Sequence, residues 1–271
     1  MKLNRRKFIQ NLAVGGVSIV HGQLLARTFY PGANDVEFRF VVASDGHYGQ
    51  SDTPYTGYFE TIVNKINFYH ALFPSEFVVF NGDIIHDDPR FLTPAHEALK
   101  KVKMPLYATK GNHDMVSPEV WENTWGFGQN HGFSIGERAI LLGTTSNEAG
   151  DYLCPDMDWF EQELEKYESA REIYIFLHIT PRKWTRHGVE CPEFHELLAT
   201  YPNVTAVFNG HDHDEDGIKT HGDIPFMFDG HFGGSWGTDY RGFRVVEKMK
   251  NGSLRTYLMN PDDRIQLTEV G

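Results

Sequence analysis

Residues 204–213 read VTAVFNGHDH. A β-branched and apolar run of strand length ends in Asn-Gly, and two imidazoles follow at i and i+2. Gly lets the chain turn sharply at a strand end, so the run predicts a buried strand whose carboxyl end carries His211 and His213. The same plan recurs upstream. Residues 36–43 (VEFRFVVA) lead into Asp45-Gly46-His47, and Phe77 to Phe80 lead into Gly82-Asp83. Pro105 to Thr109 lead into Gly111-Asn112-His113-Asp114, and residues 173–177 (IYIFL) lead into His178.

Helical patterns separate these strands. Tyr58 to Phe73 places Phe59, Ile62, Val63, Ile66 and Tyr69 on one face and stops at Pro74. Pro94 to Val102, Asp156 to Tyr167 and Pro192 to Ala199 also read as helices, with Asp156 as an N-cap, and residues 139–145 read as a further strand. After Asp216 the pattern becomes strands and turns, with Asn251-Gly252 as a hairpin signal. Strand–helix alternation followed by an all-strand tail predicts one α/β domain with mainly parallel strands. Ligands of such sheets bind at the carboxyl ends of the strands, where every cluster lies.

Each cluster has an ordinary explanation when taken alone. Asp-x-His is a common loop pattern, Gly-Asp often precedes a helix cap, His-x-His occurs in surface turns, and a histidine closing a buried strand can be a core residue. Their residue types nevertheless share one property. Carboxylate, imidazole and amide oxygen are ligands for hard or borderline divalent metals. Five such groups at successive strand ends point to a two-metal hydrolytic site.

This set in this order resembles the calcineurin-like metallophosphoesterases over residues 37–215. It is similar to the cyclic-nucleotide phosphodiesterase branch, whose pattern is DxH, GD, GNHD or GNHE, H and GHxH. The resemblance implies a four-layer α-β-β-α sandwich of two mixed sheets flanked by helices, with the strands after Gly217 suited to the second sheet. It implies that Asp45, His47 and His213 hold one metal, that Asn112, His178 and His211 hold another, and that Asp83 bridges them. Mn, Fe and Zn all suit such ligands. A hydroxide bridging the metals would attack phosphorus, with His113 as general acid. Asp114 would orient His113 or serve as an ordinary turn residue. The chain departs from other branches. His86 stands where purple acid phosphatases place Tyr, so a tyrosinate-bound ferric centre is not expected. The Arg that follows both the GD and GNH motifs in many protein phosphatases is missing, which argues against phosphoprotein substrates.

Composition bounds the partners. The formal net charge of -12 disfavours nucleic acid and anionic membrane. A small phosphorylated substrate would instead meet local positive charge, with a phosphodiester slightly favoured over a phosphomonoester. Arg182, Lys183 and Arg186 offer such charge, or they form a solvated basic loop. Aromatic residues in 48–58 and 117–131 (Trp121, Trp125 and Phe127), with Trp236 in the Gly-rich loop 231–240, either line the pocket or fill core. The alternative to an enzyme is an inert scaffold of the same fold that binds a protein partner.

Residues 1–26, MKLNRRKFIQNLAVGGVSIVHGQLLA, start with Lys2, Arg5, Arg6 and Lys7 and continue into a weakly apolar stretch. They suit a signal peptide better than a membrane span. Asn4-Arg5-Arg6-Lys7-Phe8-Ile9 resembles the twin-arginine motif, which implies the twin-arginine export machinery and a periplasmic or otherwise exported protein. An amphipathic helix of the mature domain and an uncleaved membrane tether are the alternatives. Residues 27–271 then form the single mature domain, with 21 basic against 37 acidic side chains, or -16. Cys154 and Cys191 are either unrelated thiols or, in an oxidising compartment, a disulfide.

Overall fold

The computed structural model describes residues 35–260 and 263–270. The segment 1–26, read as an export signal, lies outside them. Two six-stranded sheets face each other with helices on their outer sides.

The first sheet has the order β12-β11-β10-β1-β2-β3. Its centre, β1 (Val36–Ala43), runs parallel to β2 (Val78–Asn81), and β2 runs parallel to β3 (Leu106–Thr109). On the other side of β1 lie three antiparallel strands, β10 (Phe243–Met249), β11 (Leu254–Asn260) and β12 (Asp263–Val270). The second sheet has the order β4-β5-β6-β7-β9-β8. β5 (Arg138–Gly143), β6 (Glu172–Leu177), β7 (Val204–Asn209) and β9 (Ile224–Phe228) are parallel. β4 (His131–Ile135) and β8 (Ile218–His221) close its edges in antiparallel fashion.

The sheets are therefore mixed rather than mainly parallel. The expected tail strands also divide. β8 and β9 join the second sheet, whereas β10 to β12 extend the first. The cause is apolar pairing: β10 lays Val245 and Val246 beside Val41 and Phe40 of β1.

Strand alternation explains the layers. All of β1 from Phe38 onward is buried, but its two faces serve different cores. Phe38, Phe40 and Val42 pack between the sheets, while Val41 and Ala43 pack under the helices. Between the sheets the Phe40 ring stacks on Phe77 at 4.9 Å and meets Phe208 edge-on at 5.4 Å. Truncating such a fully buried ring costs about 3–5 kcal/mol.

Helix α1 (Tyr55–Leu72) turns Phe59, Ile62, Val63, Ile66 and Tyr69 onto the first sheet, the face its spacing predicts. α2 (Leu92–Leu99) and α3 (Pro118–Trp125) complete that layer. α3 occupies part of the stretch considered for the pocket, and its Trp121 and Trp125 are buried in core. α4 (Met157–Lys166) and α5 (Pro192–Ala199) cover the second sheet. Asp156 caps α4 by accepting the Trp159 N–H at 3.1 Å. Among the described residues no helix is long and apolar enough to cross a membrane.

Candidate metal centre

Five parallel strands deliver the site. The loops after β1, β2 and β3 carry Asp45 and His47, Asp83, and Asn112 and His113. The loops after β6 and β7 carry His178, and His211 and His213. Backbone hydrogen bonds tie these loops together. Gly46 and His47 donate to the Asp83 carbonyl, Gly210 donates to the His178 carbonyl, and Phe232 donates to the Ser44 carbonyl. The His211 N–H donates to Asp45 Oδ2 at 2.9 Å, which joins the two sheets at the site itself.

The loops approach so closely that side chains are excluded at several glycines, Gly210 and Gly82 among them. A Cβ on Gly210 would lie 1.9 Å from Ser44 Oγ, and one on Gly82, at φ 88°, would lie 2.3 Å from His178 Nδ1. Asp45, His47, Asp83 and His211 themselves have positive φ, at 59°, 48°, 50° and 68°. L-residues adopt this region at a cost, and such strain concentrates at functional sites.

Three three-residue groups result, Asp45–His47–His213, Asp83–His178–His211 and, at the rim, His47–His86–His113, each with ligand-type atoms within 4.8 Å of one another. His213 Nε2 is 3.1 Å from Asp45 Oδ1 and 2.9 Å from His47 Nε2. Asp83 Oδ2 is 3.1 Å from His178 Nε2 and 3.7 Å from His47 Nε2, so it reaches the first two groups. His178 Nδ1 donates to the Asn81 carbonyl at 2.7 Å and His213 Nδ1 to the Trp236 carbonyl at 3.1 Å. Both contacts make Nδ1 the donor and turn Nε2 into the site.

Asp45 Oδ1, Asn112 Oδ1, His178 Nε2 and His211 Nε2 are buried without a well-formed hydrogen bond, and although His213 Nε2 and Asp83 Oδ2 stand 3.1 Å from Asp45 Oδ1 and His178 Nε2, Asn112 Oδ1 and His211 Nε2 have no such neighbour. Leaving a buried polar atom poorly paired is expensive, so four such atoms converging from different loops call for an occupant. Their types fit divalent cations.

The electrostatics agree. Burial opposes ionisation of Asp45 and Asp83, yet nearby imidazoles, chiefly His213 for Asp45 and His178 for Asp83, hold both carboxyls below their usual range. Burial disfavours charge on His178 as well, but Asp83 and Asp45 raise it to about 10. His211 is lowered to about 4 by burial and then by His178. Among the protein's own groups, protons on histidine supply the positive charge that ionised Asp45 and Asp83 demand.

His113 lines the pocket beside these groups. Its Nδ1 pairs with Asp87 Oδ1 at 2.6 Å, and Asp87 in turn donates its N–H to the His113 carbonyl at 2.9 Å. Asp114 does not orient the ring. Its Oδ2 accepts the Gly111 N–H at 2.8 Å and its Oδ1 the Ile85 N–H at 2.9 Å, because the buried turn has donors to satisfy. Burial, followed by the Asp83 charge, raises its carboxyl to about 6. Of the three basic residues considered for substrate, Arg186 lines the roughly 440 Å³ pocket. Arg182 is instead engaged with His221 and Trp184, and the Lys183 backbone is held by Glu190.

The sequence reading missed four features. Asp87 had no motif to mark it, and His86 Nδ1 lies 3.0 Å from His47 Nδ1. Tyr152 lines the pocket. Buried Lys110 donates to the Asn147 carbonyl at 2.8 Å, which ties the GNHD loop to the segment before Tyr152. Of the aromatics named from the sequence as pocket lining or core, Trp236 in the Gly-rich loop lines the pocket. Cys154 and Cys191 form a disulfide.

Residues 38–215 match the family model of calcineurin-like phosphoesterases, and the chain belongs to that family, whose members use divalent metals. No curated protein sequence matches the chain. Its fold is similar to that of a dimetal phosphatase from Danio rerio, at 12% identity over 87% of this chain and 99% of that one, TM-score 0.68. It is similar to GAP50, the anchor in the inner membrane complex of Plasmodium, at 14% identity, 87% and 89% coverage and TM-score 0.63. A purple acid phosphatase from yellow lupin (Lupinus luteus) seeds also aligns, at 12% identity over 89% of this chain and 54% of that one, TM-score 0.63.

Proposed function

We propose that this chain is an exported two-metal phosphoesterase. The observation that carries the reading is the convergence of four buried ligand atoms without a well-formed hydrogen bond, on Asp45, Asn112, His178 and His211. Asp45, His47 and His213 would hold one cation, Asn112, His178 and His211 the other, and Asp83 would contact both. When bound, two such cations supply positive charge for a phosphoryl group and an ionised water for attack.

The remaining work falls to the chain. His113 faces the same pocket, and with Nδ1 held by Asp87 it presents Nε2 to the leaving oxygen. In its protonated form it gives that oxygen a proton and stabilises charge on the phosphoryl group. Asp87 keeps Nδ1 protonated and the ring in place. Arg186 is available to phosphoryl oxygens, and the sequence pattern favours a diester over a monoester. The basic N-terminal segment supports export, and so does the Cys154–Cys191 pairing, which suits an oxidising compartment.

The likeness to an anchor protein raises the alternative of an inert scaffold on this fold. Against it, all seven ligand positions and His113 are present. His113→Ala tests the choice. Hydrolysis of an alkyl phosphate or dialkyl phosphate, whose alkoxide needs a proton to leave, should fall about 10²- to 10⁴-fold with metal content unchanged, and the p-nitrophenyl esters should fall less. Undiminished hydrolysis would overturn the role of His113.

A further inference from the structure

The phosphoryl chemistry uses the floor of the pocket and leaves its mouth unexplained. Two large side chains there are exposed, Tyr152 at 41% and Trp236 at 44%. Neither projects freely. The Trp236 ring lies flat on His213, with centroids 4.3 Å apart and planes 9° apart. The Tyr152 ring meets His211 edge-on at 4.8 Å. Each aromatic surface is thus registered against an imidazole of the metal centre, so a group attached to a phosphate at that centre would lie against one or both.

The second unexplained feature is Asp212, which stands between His211 and His213. It is 4% exposed and lines the pocket, with Thr185 and His187 beside it, and its Oδ2 has no hydrogen-bond partner. A buried carboxylate oxygen without a donor is costly, and it is satisfied by an N–H donor or a positive charge. Asp214 adds a second carboxylate to the same lining. A neutral alkyl group entering here would leave Asp212 Oδ2 unpaired, and an anionic group would be repelled. Aromatic faces edged by carboxylates are the chemistry that recognises ammonium ions.

We propose that this mouth is a subsite for a positively charged alcohol, so that the preferred substrate is a phosphoester of an ammonium-bearing amino alcohol of the choline or ethanolamine type. The subsite rests on the phosphoesterase reading for the position of its phosphate. Tyr152 and Trp236 take the face of the ammonium group, Asp212 and Asp214 supply the counter-charge, and Arg186 stays with the phosphoryl oxygens.

The test compares a charged ligand with its uncharged carbon isostere. Choline phosphate and 3,3-dimethylbutyl phosphate differ only in nitrogen against carbon. Calorimetric titration of the metal-loaded protein should show at least tenfold tighter binding of choline phosphate. Asp212→Asn and, separately, Tyr152→Leu should each cut that ratio severalfold. The p-nitrophenyl diesters of the same two alcohols should show the same preference in kcat/KM. Equal affinity for the two phosphates, or a ratio that neither variant changes, would overturn the subsite. Discrimination in binding without hydrolysis of any ester would retain the subsite and overturn the phosphoesterase reading.

Discussion

Asp87 Oδ1 lies 2.6 Å from Nδ1 of His113, although the two residues come from loops on different strands. The contact gives the proposed general acid a fixed ring plane and a fixed tautomer. Asp87 has φ 65°, a conformation that costs L-residues energy.

Asp87→Asn should therefore lower kcat by about 10- to 100-fold. KM and metal content should stay near wild type, because Asp87 is not among the ligand groups. Steady-state kinetics with metal analysis of the same sample checks this. A rise in KM with kcat intact would contradict the positioning role.

Gly210→Ala places a methyl group 1.9 Å from Ser44 Oγ and 2.7 Å from Asp45 Oδ2. The fold should survive with a loss of about 1–3 kcal/mol, as for other overpacked sites. Metal affinity should fall further, since Asp45 must move. Thermal melts with and without added Mn²⁺ separate the two effects: the metal-induced rise in Tm should shrink in the variant.

The Cys154–Cys191 disulfide joins the segment bearing Tyr152 to the one bearing Arg186 and His187, and all three of those residues line the pocket. Reducing it, or changing both cysteines to Ser, should cost about 2–4 kcal/mol of stability. It should also raise KM more than it lowers kcat, because the walls loosen while the metal groups stay on their strands. Equal loss of kcat at unchanged KM would contradict that division.

Away from the site, hydrogen bonds from Arg171 and Arg138 lower the Glu37 carboxyl to about 2. A depressed carboxyl contributes stability above its unfolded value, near 4.5, and loses that contribution as pH falls towards 2. Because Glu37 is on the surface, the contribution is about 1 kcal/mol or less. Glu37→Gln should lower Tm slightly at pH 7 and leave it unchanged near pH 2.

Much of this arrangement was legible because each metal group follows a buried strand, and strands and short polar clusters both leave a pattern in sequence. The α1 face from Phe59 to Tyr69 was legible for the same reason. α3 also carried its signals: Ser117 caps it by accepting the Val120 N–H, Pro118 opens it, and Gly126 ends it at φ 79°. Of the two readings open for its aromatics, pocket lining or core, Trp121 and Trp125 take the second. β4 was hidden because an edge strand of half-exposed residues has no clean alternation. The split of the tail between the sheets was not legible, since β-branched residues do not state which strand they pair with. Asp87 was invisible because a carboxylate in a loop acquires its role only from what the fold places beside it.

The central claim is metal-dependent phosphoester hydrolysis, and one assay tests it most directly. The chain, stripped with EDTA and reloaded with Mn²⁺, Fe²⁺ or Zn²⁺, is assayed on p-nitrophenyl phosphate and bis-p-nitrophenyl phosphate. The predicted result is no turnover when stripped and restored turnover with at least one metal and one ester. Full activity after stripping, or none with any metal and either ester, would contradict it.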